Sequence, residues 1–166
     1  MDHSIEFSRL RWYGNMIVRT NPRSYVVIMS NVVGRQMGQH AVINEDVMDN
    51  KPPIFKRMYV CYKACRVAFY NGLRPFIGFD GYHLKGPFGG ILLAAVALDA
   101  NLQMVPLAVA IVEIENTETW SWFLINLKNS IGNELDTKPW SCMSDRQKVR
   151  CCMLFDVILF LCCVVK

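Results

Sequence analysis

Two aspartates draw attention because each closes an apolar run. Asp80 follows Phe76-Ile77-Gly78-Phe79 and precedes Gly81; Asp145 follows Trp140-Ser141-Cys142-Met143-Ser144 and precedes Arg146. A carboxylate at the end of a buried strand is costly unless it is hydrogen-bonded, paired or bound to a cation. Taken singly, each has a structural explanation: Asp-Gly is a common turn pair, and Asp145 can cap a following helix. Taken together they point to chemistry. If their two strands lie side by side, the carboxylates meet on the order of 4–7 Å apart and make an oxygen-rich site suited to Mg²⁺. Divalent ions at such a site activate a water or a 3′-hydroxyl and stabilise the leaving oxygen of a phosphodiester. That reaction normally needs a third acidic ligand. His83 and Lys85, close behind Asp80 in the chain, are candidate contacts to phosphate or to a scissile strand, with solvated surface as the alternative.

The elements that must position these residues are legible from periodicity. Pro75–Leu84, Ile91–Leu98 and Met104–Glu115 read as three strands, with Gly86-Pro87 and Gly89-Gly90 turning the first connection and Asp99-Ala100-Asn101 the second. Their nearly continuous apolar runs suit strands covered on both faces. A helix follows, capped by Asn116 or Thr117 and stopped by Gly132; Trp120, Phe123, Leu124, Leu127 and Ile131 share one face of it, which makes them core rather than a base-stacking platform. A short strand, Trp140–Ser144, then leads into Asp145. Asp99 and Asn101 read as β-turn residues. Glu113 and Glu115 end a strand, and Glu115 either supports the next helix or approaches the metal site. Upstream, residues 1–20 are weakly helical. Ser24–Ser30 and Phe55–Tyr62 read as strands, Lys63–Asn71 as a short helix, and 31–53 as loop.

Composition limits the classes. The chain has 166 residues, 52% of them hydrophobic, enough for one globular core. Residues 1–85 carry 12 Lys and Arg against six Asp and Glu, whereas 86–166 carry six against eight, so only the N-terminal half favours a polyanion such as DNA. The seven cysteines have irregular spacing and form no zinc pattern with His3, His40 and His83; they read as reduced thiols filling the core. No membrane span is expected. Gly90–Val112 is interrupted by Asp99, Asn101, Gln103 and Pro106, and the apolar tail Val157–Val165 is too short to cross as a helix.

The stretch Phe76-Ile77-Gly78-Phe79-Asp80-Gly81-Tyr82-His83-Leu84-Lys85-Gly86 resembles the signature of the Mutator-like (MULE, MuDR-type) transposases of plants. Residues 89–124 and Ser144-Asp145-Arg146-Gln147-Lys148 resemble the segments that follow it, and Arg19–Pro22 and Phe55–Pro75 resemble its run-in. The resemblance implies an RNase H-like catalytic core with a D-D-E triad, in which Asp80 and Asp145 are the two aspartates and ligands for Mg²⁺ or Mn²⁺. It also implies DNA as partner and the nucleus as location, although no targeting signal is read in the chain. The expected fold is α/β and partially RNase H-like: a three-stranded antiparallel meander, a helix, then a strand beside the first. It divides the chain into a partly irregular run-in (1–54), the front of the transposase domain (55–148) and an apolar tail outside the resemblance (149–166). No residue fills the place of the third acid, Glu134 and Asp156 being badly placed, so the expectation is a truncated core without cleavage activity and with weak DNA and metal binding. The alternatives are a non-catalytic DNA-binding derivative and a non-functional remnant.

Overall fold

The computed structural model describes residues 3–30, 42–43, 55–85, 89–132, 140–144 and 161–163. In chain order these form α1 (His3–Thr20), β1 (Tyr25–Ser30), β2 (Val42–Ile43), β3 (Phe55–Cys61), α2 (Lys63–Asn71), β4 (Phe76–His83), β5 (Ile91–Leu98), β6 (Met104–Val112), α3 (Thr117–Ile131), β7 (Trp140–Ser144) and β8 (Leu161–Cys163). One sheet holds all eight strands in the order β2-β1-β3-β6-β5-β4-β7-β8. β4, β5 and β6 are the antiparallel meander expected from sequence. After α3 the chain returns to the other side of β4, and β7 pairs with it in parallel. Two short strands lie where none was read. β2 falls in the stretch taken as loop and pairs with β1. β8 falls in the apolar tail and pairs in parallel with β7, a use that suits an uninterrupted apolar run.

Pleat alternation sorts the side chains onto two faces. Along one hydrogen-bonded row, Val27, Tyr59, Ala110, Leu93 and Gly81 are successive register partners; along the next, Val26, Val60, Val109, Ala94 and Asp80 are. The first row lies on the side of α3, where Trp120, Phe123, Leu124, Leu127 and Ile131 are buried against Ile77, Phe79, Leu93 and Ala95, the helical face foreseen from spacing. The second lies on the opposite side, where Ile17 and Val18 of α1 pack against Val26, Ile28, Met58 and Val60.

Local chemistry sets the element ends. The Asn116 side chain accepts from the Thr119 amide while the Thr119 hydroxyl accepts from the Asn116 amide, a reciprocal cap that starts α3. At the β5–β6 turn, one Asp99 oxygen accepts from the amides of Asn101 and Gln103, and Leu102 takes a positive φ of 64°. Asp99 is thus a turn organiser. The Cys61 and Cys142 thiols are buried, and burial pushes the Cys61 thiol up to about 11, which keeps it neutral and unreactive as core filler. Among the described residues, no helix is long and apolar enough to cross a membrane.

Candidate functional site

β4 is the strand at which the sheet order reverses. The meander runs outward from it on one side, and β7 and β8 lie on the other. β4 and β7 run parallel, so their carboxyl ends open at the same edge, the usual place for a ligand site in an α/β sheet. Ile77 and Phe79 anchor β4 in the core, and the next residue, Asp80, is exposed. One Asp80 carboxylate oxygen accepts from the Gly81 amide at 2.8 Å, which orients the group within β4, one residue past its described pairing with β7.

The described part of β7 ends one residue short of Asp145. Its register with β4 pairs Phe76 with Ser141, Ile77 with Cys142, Gly78 with Met143 and Phe79 with Ser144. Asp145, and with it the expected distance between the two carboxylates, lies outside the described residues. His83 is exposed and pairs with Ile91, a member of the α3-side core. Alternation therefore places His83 on the α3 side and Asp80 on the other, so the strand does not bring these two together. Lys85 is exposed just beyond the strand. Among the described residues, no group of three or more His, Cys, Asp or Glu side chains is placed to hold a metal.

Glu115 is the acidic residue that the structure brings up to the Asp80–Gly81 step, on the α3 side. A β-carbon added to Gly81 would meet the Glu115 carboxylate at 2.9–3.1 Å, and the Trp120 indole N–H donates to the same carboxylate at 3.2 Å. Gly81 is thus required less for turning than for the close approach of Glu115. Gly81→Ala is expected to cost about 1 kcal/mol, since a tethered side chain must shift by tenths of an ångström. In Glu115→Ala the same substitution should be nearly neutral. A double-mutant cycle by urea denaturation reads the coupling, and additivity of the two changes would show that the carboxylate does not occupy that space.

An ionic cluster around a buried arginine lies on the same side of the sheet, and sequence reasoning missed it. Arg57 of β3 is 3% exposed; its guanidinium donates to both oxygens of Glu113 at 2.6–3.0 Å and to Glu118 of α3 at 2.7 Å, and it lies 5.8 Å from the ring centre of Trp122. The Glu113 hydrogen bonds raise the Arg57 pKa further, against burial. Burial pushes Glu113 up, but hydrogen bonds from Arg57 and the backbone, with the charges of Arg57 and Lys56, hold its carboxyl below the usual range. The sequence signal was an arginine in a largely apolar strand followed, three strands later in the chain, by two glutamates flanking a helix start. The cluster ties α3 to β3 and leaves Glu115, not Glu113, beside β4.

Neither curated proteins nor solved structures yield a match. The family model of the MULE transposase domain matches residues 76–158, starting on the first residue of β4, taking in both candidate aspartates and running past Lys148. That match covers half of the sequence, and the chain belongs to the MULE transposase domain family.

Proposed function

We propose that residues 1–166 are the front part of a MuDR-type transposase catalytic core of RNase H-like fold, with Asp80 and Asp145 as ligands for Mg²⁺ or Mn²⁺ and DNA as substrate, acting in the nucleus. One observation carries the reading: the parallel β4–β7 register, which runs to the residue before each aspartate. One further step of that register would set residue 145 beside Asp80 on the same face. The meander, the helix on one face and the return to β7 support an RNase H-like reading of the chain path. Asp80 fits the role, being exposed on β4 just past the described β4–β7 pairing, with one oxygen oriented by a backbone amide.

A divalent cation held there supplies charge neutralisation at a phosphodiester and lowers the pKa of an attacking hydroxyl or water. What the chain itself contributes is placement. β4 carries Asp80, β7 leads to residue 145, Gly81 orients Asp80, and Lys85 offers a cation to phosphate just past the end of β4. His83 belongs to the opposite side and is the weaker of the two contacts.

Two aspartates hold one ion loosely, and holding a second at a fixed spacing needs another acid. Residues 1–166 alone are therefore expected to bind Mn²⁺ weakly and to neither cut nor join DNA. Calorimetry with Mn²⁺ tests the ligands: Asp80→Asn and Asp145→Asn should each abolish the binding, and wild-type affinity in either variant would remove that residue from the site. Incubation with terminal-inverted-repeat DNA and Mn²⁺ tests the activity. Cleavage that disappears in Asp80→Ala would show that a third ligand completes the centre.

A further inference from the structure

Helix α1 covers β1 and β3 with one side, and among the described residues no element packs on its other side. Gly14, Ile17 and Val18 turn toward the sheet; a β-carbon on Gly14 would stand 2.7 Å from Ile28 Cδ1, so the helix lies close against the strand. The outward side carries Arg9, Trp12, Met16 and Arg19, spaced by three and four residues and therefore stacked along one face. Trp12 is 60% exposed and Tyr13 50%, with their rings edge to face at 5.2 Å. A shallow depression beside them is lined by Trp12, Asn15, Met16, Arg19 and Thr20. Two large aromatic rings left in water side by side are unusual on a surface that serves only for solubility.

Along the chain, the charges nearest these rings have one sign. Residues 7–30 contain Arg9, Arg11, Arg19 and Arg23 and no Asp or Glu. Arginines on either side of an exposed indole are the parts of a strand-binding surface: cations take successive phosphates, and the ring face takes an unpaired base. A duplex keeps its bases stacked inside and would leave Trp12 without a partner. The location adds to this. α1 packs on the row that runs through Val26, Val60, Val109 and Ala94 to Asp80, so helix and aspartate belong to the same face of the sheet. Four strand spacings separate Val26 from Asp80, about 19 Å.

We infer that the outward face of α1 docks an unpaired DNA strand, with phosphates on Arg9 and Arg19 and a base on Trp12, on the side of the sheet to which Asp80 opens. The location of the strand relative to Asp80 rests on the proposed catalytic reading; the docking surface itself does not. The test is fluorescence anisotropy of a labelled single-stranded oligonucleotide with residues 1–166 at low salt, against the same sequence as duplex and as RNA. Single-stranded DNA is expected to bind more tightly than the duplex. Trp12→Ala should weaken it about tenfold or more, while Trp12→Phe largely restores it. Arg9→Ala with Arg19→Ala should lower the slope of log affinity against log salt by about 1.4, two phosphates' worth for a single strand. Mn²⁺ binding, measured on the same α1 variants, should be unchanged, so loss of the metal site and loss of the docking surface read out separately. Binding that the α1 substitutions leave intact overturns the proposal, as does absence of binding at low salt. Preference for duplex, with no effect of Trp12→Ala, would also overturn it, and tighter binding of RNA would overturn the assignment to DNA.

Discussion

Trp120→Ala is expected to lower the free energy of unfolding by about 3–5 kcal/mol, the range for truncating a buried large aromatic. The side chain is 1% exposed and packs edge-to-face on both Phe79 of β4 and Phe123 of its own helix. Removing it opens a cavity at the place where α3 rests on the strand that carries Asp80. Edge-to-face ring pairs add to the loss beyond their buried area. The substitution also frees the Glu115 carboxylate, which loses its indole donor beside Gly81. Trp120→Phe separates the two contributions: it keeps most of the packing and loses only the hydrogen bond, at a cost of about 1 kcal/mol beyond the small change in volume. Urea denaturation followed by far-ultraviolet circular dichroism measures both. A loss below about 1 kcal/mol in Trp120→Ala would mean that α3 is not docked on β4 in solution, and the geometry at Asp80 would have to be drawn again.

Much of this architecture is legible in the chain because its strongest signals are local. The apolar runs at Ile91–Leu98 and Met104–Val112 admit only strands once Asp99, Asn101 and Gln103 interrupt them, and the Trp120–Ile131 spacing admits only a helix. Asp80 is legible as a residue but not as a geometry. Periodicity says that a carboxylate ends an apolar run, whereas the parallel partner that makes it interesting comes from some 60 residues away. His83 shows the limit in reverse. Its closeness to Asp80 in sequence suggested a shared site, but an odd separation along a strand sends two side chains to opposite faces. The strands β2 and β8 were hidden because two or three residues carry no period at all. The α1 surface was hidden for another reason: a weakly amphipathic helix does not announce which of its aromatic residues will face water until the strand beneath it is known.

Arg57→Ala is expected to cost about 2–3 kcal/mol, and its pH dependence is as informative as its size. Breaking a fully buried ion pair typically costs about 3–5 kcal/mol because a charge is stranded. Here only the guanidinium is buried. The Glu113 side chain is 36% exposed and that of Glu118 68%, so both recover solvent when the arginine is removed, and the loss is discounted accordingly. Part of it is packing, since the Arg57 stem and head lie beside Trp122. Arg57→Met should retain that part and lie between the wild type and alanine. The sign of the pH effect follows from Glu113, whose carboxyl is held below its ordinary value of 4.5 by Arg57 among other groups, against the upward push of burial. A depressed carboxylate contributes stability that is present above the ordinary value and lost as pH falls through the lower folded one. The wild-type advantage over Arg57→Ala should therefore be full at neutral pH and shrink as pH falls below about 4.5. Urea titrations at neutral pH and at several acid values measure it. A gap between the two proteins that stays constant into acid would show that Arg57 stabilises by packing alone, and that the link between β3 and α3 is not ionic.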